Sequence, residues 1–576
     1  MVVSNLGEIG PMCKRRRSKR CLKVDSIKAI NGGLAGFAAD EDRMTGNADS
    51  NTPGCQPPAA VDADRADGPD RPDKSQVAAG AGLVSAGRML TGLFNLLTLI
   101  FLARLLTKSL FALVVFVYLI QETARALGSL GLPAALYYFV PKLGQQSARS
   151  LGVWISVLLM GLALPWSIVL LVAHQPLATV FDKPALAGLL VYLSVYLLAD
   201  FPTQALAPYM LSRKRYLGYF LVMVLFGASR FASLVIPAAW GATVRAIMFW
   251  FVAVCVGRWL IHWGVLLVVD SGTLSRCGWR LKEVFSYGIP LSLSLSVNKL
   301  NRQIDKYMIA GLCAAEVFAV YSVGAIEIPL VPGIAYSVTA ALIPTLVVLY
   351  DRRDDKTFVE YWHGAMTKVA AIMMPVFVFF FVLAEPAMRV LFSSGYSEAA
   401  IPFRIYLCLL PLRLCGYGAV VRSMGKTRPV LISAVAALVV NAGLNYPLYL
   451  LLGMAGPALA TVLGQVTAVL ILLAVIRKKL AISAIDVFPL KSVVRVLLVA
   501  LLCGVPLWVL AYFMEGDLLR ILVGAVVFVV LYLIAGRVLG VLSAADFSYL
   551  KDLATLRVVR KSRRGAGEGA KRNGSA

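Results

Sequence analysis

From Gly80 onward the chain is a train of apolar windows, each roughly 20 residues long, the length an α-helix needs to cross about 30 Å of hydrocarbon. About fourteen such windows can be marked, near 80–103, 110–130, 151–173, 185–207, 217–239, 246–269, 287–311, 318–347, 367–390, 400–421, 429–451, 457–476, 493–513 and 520–541. Inside hydrocarbon every backbone polar group needs a partner within its own segment, so windows of this length read as helices. The expectation is an all-α polytopic membrane protein with about 14 transmembrane helices, kinked where Pro290, Pro329, Pro332, Pro375 and Pro411 fall inside or near a window. Of 576 residues, 59% are hydrophobic and 15% charged, a balance that excludes an ordinary soluble enzyme.

Residues 1–76 differ from all that follows. They are rich in Asp, Gly, Pro and Ala, carry a basic run at Lys14, Arg15, Arg16, Arg17, Lys19 and Arg20, and read as a disordered tail. The stretch 21–36 is too mixed and short for the apolar core of a secretory signal. With that tail in the cytoplasm, loops on the same side hold about twenty Lys and Arg, among them Lys142, Arg213, Lys214, Arg215, Arg352, Arg353, Lys426, Arg477, Lys478 and Lys479. Loops on the opposite side hold only Arg104, Lys108, Lys183, Arg245, Arg389 and Arg520. This asymmetry predicts both termini in the cytoplasm, and the expected location is the cell's inner membrane. It also absorbs much of the net charge of +25, which on a soluble face would have pointed to nucleic acid.

The first twelve windows read as a block of six used twice. Pro141 and Lys142 close the second window as Pro344 closes the eighth, and basic runs at 213–215 and 422–428 introduce the fifth and eleventh. Six is even, so the halves would be parallel repeats with a site at their interface. The expected organisation is a tail at 1–76, a six-helix bundle at 77–270, a second at 271–480, two extra transmembrane helices at 481–541 and a basic cytoplasmic tail at 542–576.

Cofactor chemistry finds no support. Nine cysteines are scattered without a C-x-x-C pair, and three histidines, His174, His262 and His363, lie in separate segments, so no metal centre is expected. Gly425, Lys426 and Thr427 imitate the end of a phosphate-binding loop, but Val420 stands where that loop needs glycine. The longest loops, near 270–286 and 348–366, are too short to fold alone, which argues against an enzyme.

The informative residues are charges inside apolar windows, each costing about 2.5–3.5 kcal/mol at a helix centre unless water or a partner compensates. Cations dominate: Arg88, Arg230, Arg258, Lys299, Arg302, Lys306, Arg404 and Arg413 stand against Asp200, Asp305 and Glu327. On one continuous seventh helix, Lys299, Arg302 and Lys306 would fall within an arc of roughly 60°. Together with Asn298, Asn301, Gln303 and Asp305 they would form a polar stripe lining a hydrated, positive cavity for an anion. The competing reading makes Arg302 and Asp305 a local pair at i, i+3 and lets other cations snorkel to headgroups. Asp305, Glu327 and Asp200 are the carboxylates placed to bind a proton or sodium ion in a transport cycle, with a hydrogen-bonded structural role as the alternative. Cys408 with Cys415, and Arg258 with His262, read as packing or local pairing.

Several stretches carry a family resemblance. They are Leu105, Leu106, Thr107, Lys108, Ser109, Leu110 and Phe111; Leu130, Gly131, Leu132, Pro133, Ala134 and Ala135; Ser286, Tyr287, Gly288, Ile289, Pro290 and Leu291; and Gln303, Ile304, Asp305, Lys306, Tyr307, Met308 and Ile309. Tyr321, Ser322, residues 422–428, and Asn441, Ala442, Gly443, Leu444 and Asn445 complete the order. Over roughly 80–480 the chain resembles the Wzx-type O-antigen flippases of the multidrug, oligosaccharidyl-lipid and polysaccharide exporter superfamily; the long hydrophilic N-terminal tail departs from their pattern. The resemblance implies two six-helix bundles around a central cavity, two further C-terminal helices, and no cofactor. It also implies alternating-access transport of undecaprenyl-diphosphate-linked oligosaccharide from inner to outer leaflet, with membrane lipid, a polysaccharide polymerase and chain-length proteins as partners. Outside that reading stand a multidrug or lipid II transporter of the same superfamily, and a membrane polysaccharide polymerase or ligase.

Overall fold

The computed structural model describes residues 74–269, 281–328 and 330–542. The tails expected at 1–76 and 542–576 lie, but for a few residues at their inner edges, outside the described residues, as does Pro329.

The described chain is helical throughout. The first helices are α1 (Lys74–Leu105), α2 (Lys108–Gly128), α3 (Leu132–Phe139), α4 (Gln145–Val180), α5 (Ala185–Thr203), α6 (Leu206–Ser212), α7 (Tyr216–Ala239) and α8 (Val244–Gly264). Then follow α9 (Leu281–Asn301), α10 (Ile304–Leu312), α11 (Ala315–Gly324), α12 (Leu330–Asp351), α13 (Asp355–Val382) and α14 (Ala384–Phe392). The last are α15 (Ala400–Leu407), α16 (Leu409–Leu412), α17 (Tyr417–Ser423), α18 (Arg428–Leu452), α19 (Ala455–Leu480), α20 (Leu490–Phe513) and α21 (Asp517–Val538). Side chains start several of them: Thr107, Thr243 and Asp354 accept from Leu110, Ala246 and Thr357 backbone N–H, satisfying donors that a helix start leaves free.

Twelve stretches among the described residues are long and apolar enough to cross a membrane, and they match twelve of the fourteen sequence windows. The chain is a multi-pass membrane protein. The other two windows, 287–311 and 318–347, fall on interrupted helices: α9 breaks before α10, and α11 before α12. The tenth window is also segmented, into α15, α16 with Pro411, and α17.

Helices α1 and α4 to α8 pack mainly among themselves, as do α12, α13 and α15 to α19, while α20 and α21 lie against α13 and α14 and α2 packs most heavily on α9 and α11. Close backbone approach is built from glycine. A Cβ on Gly456 would sit 2.1 Å from the Leu448 carbonyl oxygen, and one on Gly464 2.7 Å from that of Ala437, so α18 and α19 pack nearly backbone to backbone.

The two groups meet along α2 with α9 and α11, α3 with α9, and α1 with α14. At one end of this seam Arg104 Nε donates to the Leu391 carbonyl at 2.8 Å, Ser109 donates to Glu316, and Lys183 Nζ donates to the Ala310 carbonyl at 2.7 Å. At the other end Tyr138 stacks on Tyr287 with ring centres 4.6 Å apart. There Gly131, at φ 72°, lies so near α9 that a Cβ would come within 2.2 Å of the Gly288 oxygen. The helices touch at both ends of the seam, and the polar residues sit between.

Candidate functional site

The polar stripe of the seventh window does not lie on one continuous helix. After Asn301 the chain turns through Arg302 and Gln303, whose N–H groups bond back three residues to Lys299 and Leu300 carbonyls. Lys299 therefore lies in the last turn of α9, Arg302 occupies the break, and Lys306 lies in the first turn of α10. The cause is the polar run itself, because short side chains offer the backbone alternatives to the helical ladder. Asp305 accepts from its neighbour's N–H at Lys306, and Asn441 Nδ2 of α18 donates at 2.8 Å to the Asn301 carbonyl that the break frees. Irregular backbone at this depth survives because protein covers it.

Lys299 Nζ donates to Glu122 Oε2 of α2 at 2.6 Å. Oε1 of the same carboxylate is 4.0 Å from the Arg230 guanidinium of α7. Arg230 donates to Tyr118 Oη at 2.8 Å and Gln121 Oε1 at 3.0 Å, and lies 4.2 Å over the Tyr118 ring. One turn further along α2, Arg125 stands 3.4 Å from Asp200 of α5, whose other oxygen is 3.7 Å from Arg258 of α8. Tyr196 joins the two pairs by accepting from Gln121 at 3.2 Å and Arg258 at 2.9 Å while donating to Asp200 at 3.1 Å. A cavity of about 250 Å³ opens beside this network, lined by Asn95, Thr98, Tyr118, Glu122 and Arg230 among apolar neighbours.

Beyond the break, Glu327 pairs with Arg413 of the chain after α16, and Arg302 and Lys306 stand within electrostatic reach of the same carboxylate. Asp305 is fully buried and accepts from Tyr321 at 2.5 Å and from Tyr406. The local Arg302–Asp305 pair is thus replaced by two tyrosine hydroxyls. Among the described residues neither Arg302 nor Lys306 has a side-chain hydrogen bond or ion pair, and both side chains keep solvent access. Across seam and break, Arg125, Arg230, Arg258, Lys299, Arg302, Lys306 and Arg413 face Glu122, Asp200, Asp305 and Glu327, so cations exceed carboxylates by three.

These contacts revise the picture of cations left wholly unneutralised: Lys299, Arg230 and Arg258 each have a carboxylate neighbour. Arg258 is buried in its pair, and Arg88 on α1 is exposed and reaches Tyr219 Oη at 3.3 Å, away from the rest. Arg404 donates to the Phe381 carbonyl at 3.1 Å. His262 meets Ser156 at 3.0 Å rather than Arg258, and Cys415 accepts from Trp362 Nε1 at 3.3 Å.

A membrane protein with cations gathered at the seam of two helix groups narrows the field, and sequence comparison decides it. The family model described as polysaccharide biosynthesis protein matches residues 101–401, more than half of the chain. The chain belongs to that family. No curated protein sequence matches the chain.

Solved structures share the fold. A lipid II flippase, MurJ, in an inward closed conformation superposes with a TM-score of 0.62 at 15% identity, covering 79% of this chain and 98% of its own. An inward-facing multidrug resistance MATE family transporter gives 0.55 at 20% identity, over 68% and 94% of the two chains. A MOP superfamily transporter from Pyrococcus furiosus, described as having a binding pocket of reverse polarity, gives 0.51 at 18%, over 71% and 95%.

The site residues that sequence reasoning missed, Tyr118, Gln121, Glu122, Arg125 and Tyr196, sit mostly in one polar run near the end of the second window. The second window, 110–130, encloses that run, and in the structure it is an interior face of α2.

Proposed function

We propose that the protein moves an undecaprenyl-diphosphate-linked oligosaccharide from the inner to the outer leaflet of the cytoplasmic membrane, for O-antigen or similar surface polysaccharide assembly. The observation that carries this reading is the cation excess at the seam. A diphosphate cannot cross hydrocarbon alone, whereas Lys299, Arg302, Lys306 and Arg230 offer it charge-assisted donors while the prenyl tail stays in lipid. Two six-helix halves, 77–270 and 271–480, would rock about this seam in alternating access, with both termini in the cytoplasm. Arg88 and Arg258 are the outlying members of the proposed cation set. Asp305, Glu327 and Asp200 are the candidate sites for a coupling ion, and a polymerase and chain-length proteins would act on the delivered substrate.

The excess positive charge disfavours a transporter of cationic drugs, which calls for an acidic cavity. Vesicles reconstituted with the full chain and supplied with labelled lipid-linked oligosaccharide test the proposal. Label should reach the opposite leaflet with its covalent structure unchanged, and Lys299→Glu or Arg302→Glu should abolish this at wild-type protein abundance. Normal flipping by both variants, or processed sugar, overturns the reading.

A further inference from the structure

Between the described residues of the two helix groups, Lys299–Glu122 is the one ion pair that crosses the seam. Its carboxylate is also shared: one oxygen meets Lys299 of α9, the other faces Arg230 of α7. Glu122 therefore does in this conformation what an incoming phosphate would do, lying between two cations that belong to different groups. The position is reachable. The side chains of Glu122 and Lys299 are 30% and 33% exposed, and Glu122 and Arg230 both line the cavity.

That cavity, at about 250 Å³, is smaller than the ~300–1,000 Å³ that drug-sized ligands occupy. Around the pair, Thr123 Oγ1 donates to Gln303 Oε1 at 2.8 Å and Ser296 donates to the Ala126 carbonyl at 2.5 Å, so the same α2 face zips both α9 and the break. Gln121 and Tyr118, which hold Arg230, come from α2 as well. Removing the carboxylate would leave Lys299 and Arg230 facing each other with no anion between them.

We infer that Glu122 is a built-in competitor for the substrate's anionic group: it occupies the Lys299–Arg230 site when the transporter is empty, and its displacement by a diphosphate frees the seam to open. This rests on the proposed function above and adds to it a positioning residue that couples anion binding to movement. The carboxylate carries one negative charge and a diphosphate more, so the exchange favours the ligand, while sugars and neutral lipids cannot drive it. Once the diphosphate has left, return of Glu122 to Lys299 would restore the empty state, which makes the residue a determinant of turnover as well as of anion selectivity.

The test uses the purified full chain with farnesyl diphosphate as probe and farnesol as the uncharged control. Wild-type protein should bind the diphosphate in preference to farnesol. Glu122→Gln, with no competitor, should bind it about tenfold more tightly, since apparent affinity rises with the fraction of protein already competent. Flipping by this variant in vesicles should saturate at lower substrate with a slower maximal rate, and Glu122→Asp should restore both. Carbodiimide labelling of Glu122 in the unmodified chain gives a readout that needs no folded variant: farnesyl diphosphate should increase it several-fold and farnesol should not. Equal affinity in wild type and Glu122→Gln, or labelling unchanged by bound diphosphate, overturns the inference alone. Wild-type binding that ignores the diphosphate overturns the functional reading itself.

Discussion

Asp200→Asn should destabilise the protein through Arg258 rather than through any lost ion. Arg258 keeps only 7% of its side-chain surface and Asp200 1%, and the carboxylate serves Arg258, Arg125 and the Tyr196 hydroxyl at 3.7, 3.4 and 3.1 Å. Taking one partner from a buried ion pair costs about 3–5 kcal/mol, because the remaining charge stays out of water without compensation. Arg125 is 29% exposed and contributes little to that figure, since water can solvate it. The loss should appear as an unfolding temperature lowered by roughly 3–4 °C in detergent.

The second change decides the cause. Arg258→Met alone leaves Asp200 with Arg125, but combined with Asp200→Asn it removes both buried charges and should recover at least half of the lost stability. A double variant no more stable than Asp200→Asn would refute the pairing argument. Unchanged stability of Asp200→Asn together with loss of gradient dependence in vesicle flipping would move Asp200 to the coupling role instead.

Arg302→Gln with Lys306→Gln should lower flipping strongly while the unfolding temperature changes little, since neither side chain leaves an orphaned carboxylate behind; a large stability loss would contradict their unpaired state. Gly131→Ala adds a Cβ 2.2 Å from the Gly288 oxygen at φ 72°, so a disulfide between cysteines placed at Tyr138 and Tyr287 should form less readily in that background; an unchanged yield would show that the seam tolerates the Cβ. Gly456→Val should reduce folded protein sharply, measured by gel filtration in detergent, because its Cβ would meet Leu448 backbone.

How much of this was legible beforehand follows from which forces act locally. Twelve spans were readable because hydropathy over some twenty residues is a property of the segment alone. The interruption between Asn301 and Ile304 was not, because its polar run has the right helical spacing, and the carbonyl that the break frees at Asn301 is satisfied from 140 residues away, by the Asn441 amide. Spacing along one helix says where side chains would point if the ladder holds. It does not say whether another helix supplies the hydrogen bonds that let the ladder stop.

Charge was misread for the same reason. Counting cations against Asp200, Asp305 and Glu327 gave the right sign, yet it passed over Glu122 and Arg125, one of each sign and one turn apart on α2. Their partners lie on α5, α7 and α9. An excess of charge can be summed from sequence, but its mobility depends on which cations share a carboxylate. The seam holds both kinds: Arg258 is fixed by burial in its pair, whereas Lys299 is held by a carboxylate that solvent can reach. Under the proposed function the moving surface needs the second kind, with the first kind behind it, since a cation that can never be released from its counter-ion cannot report the arrival of an anion.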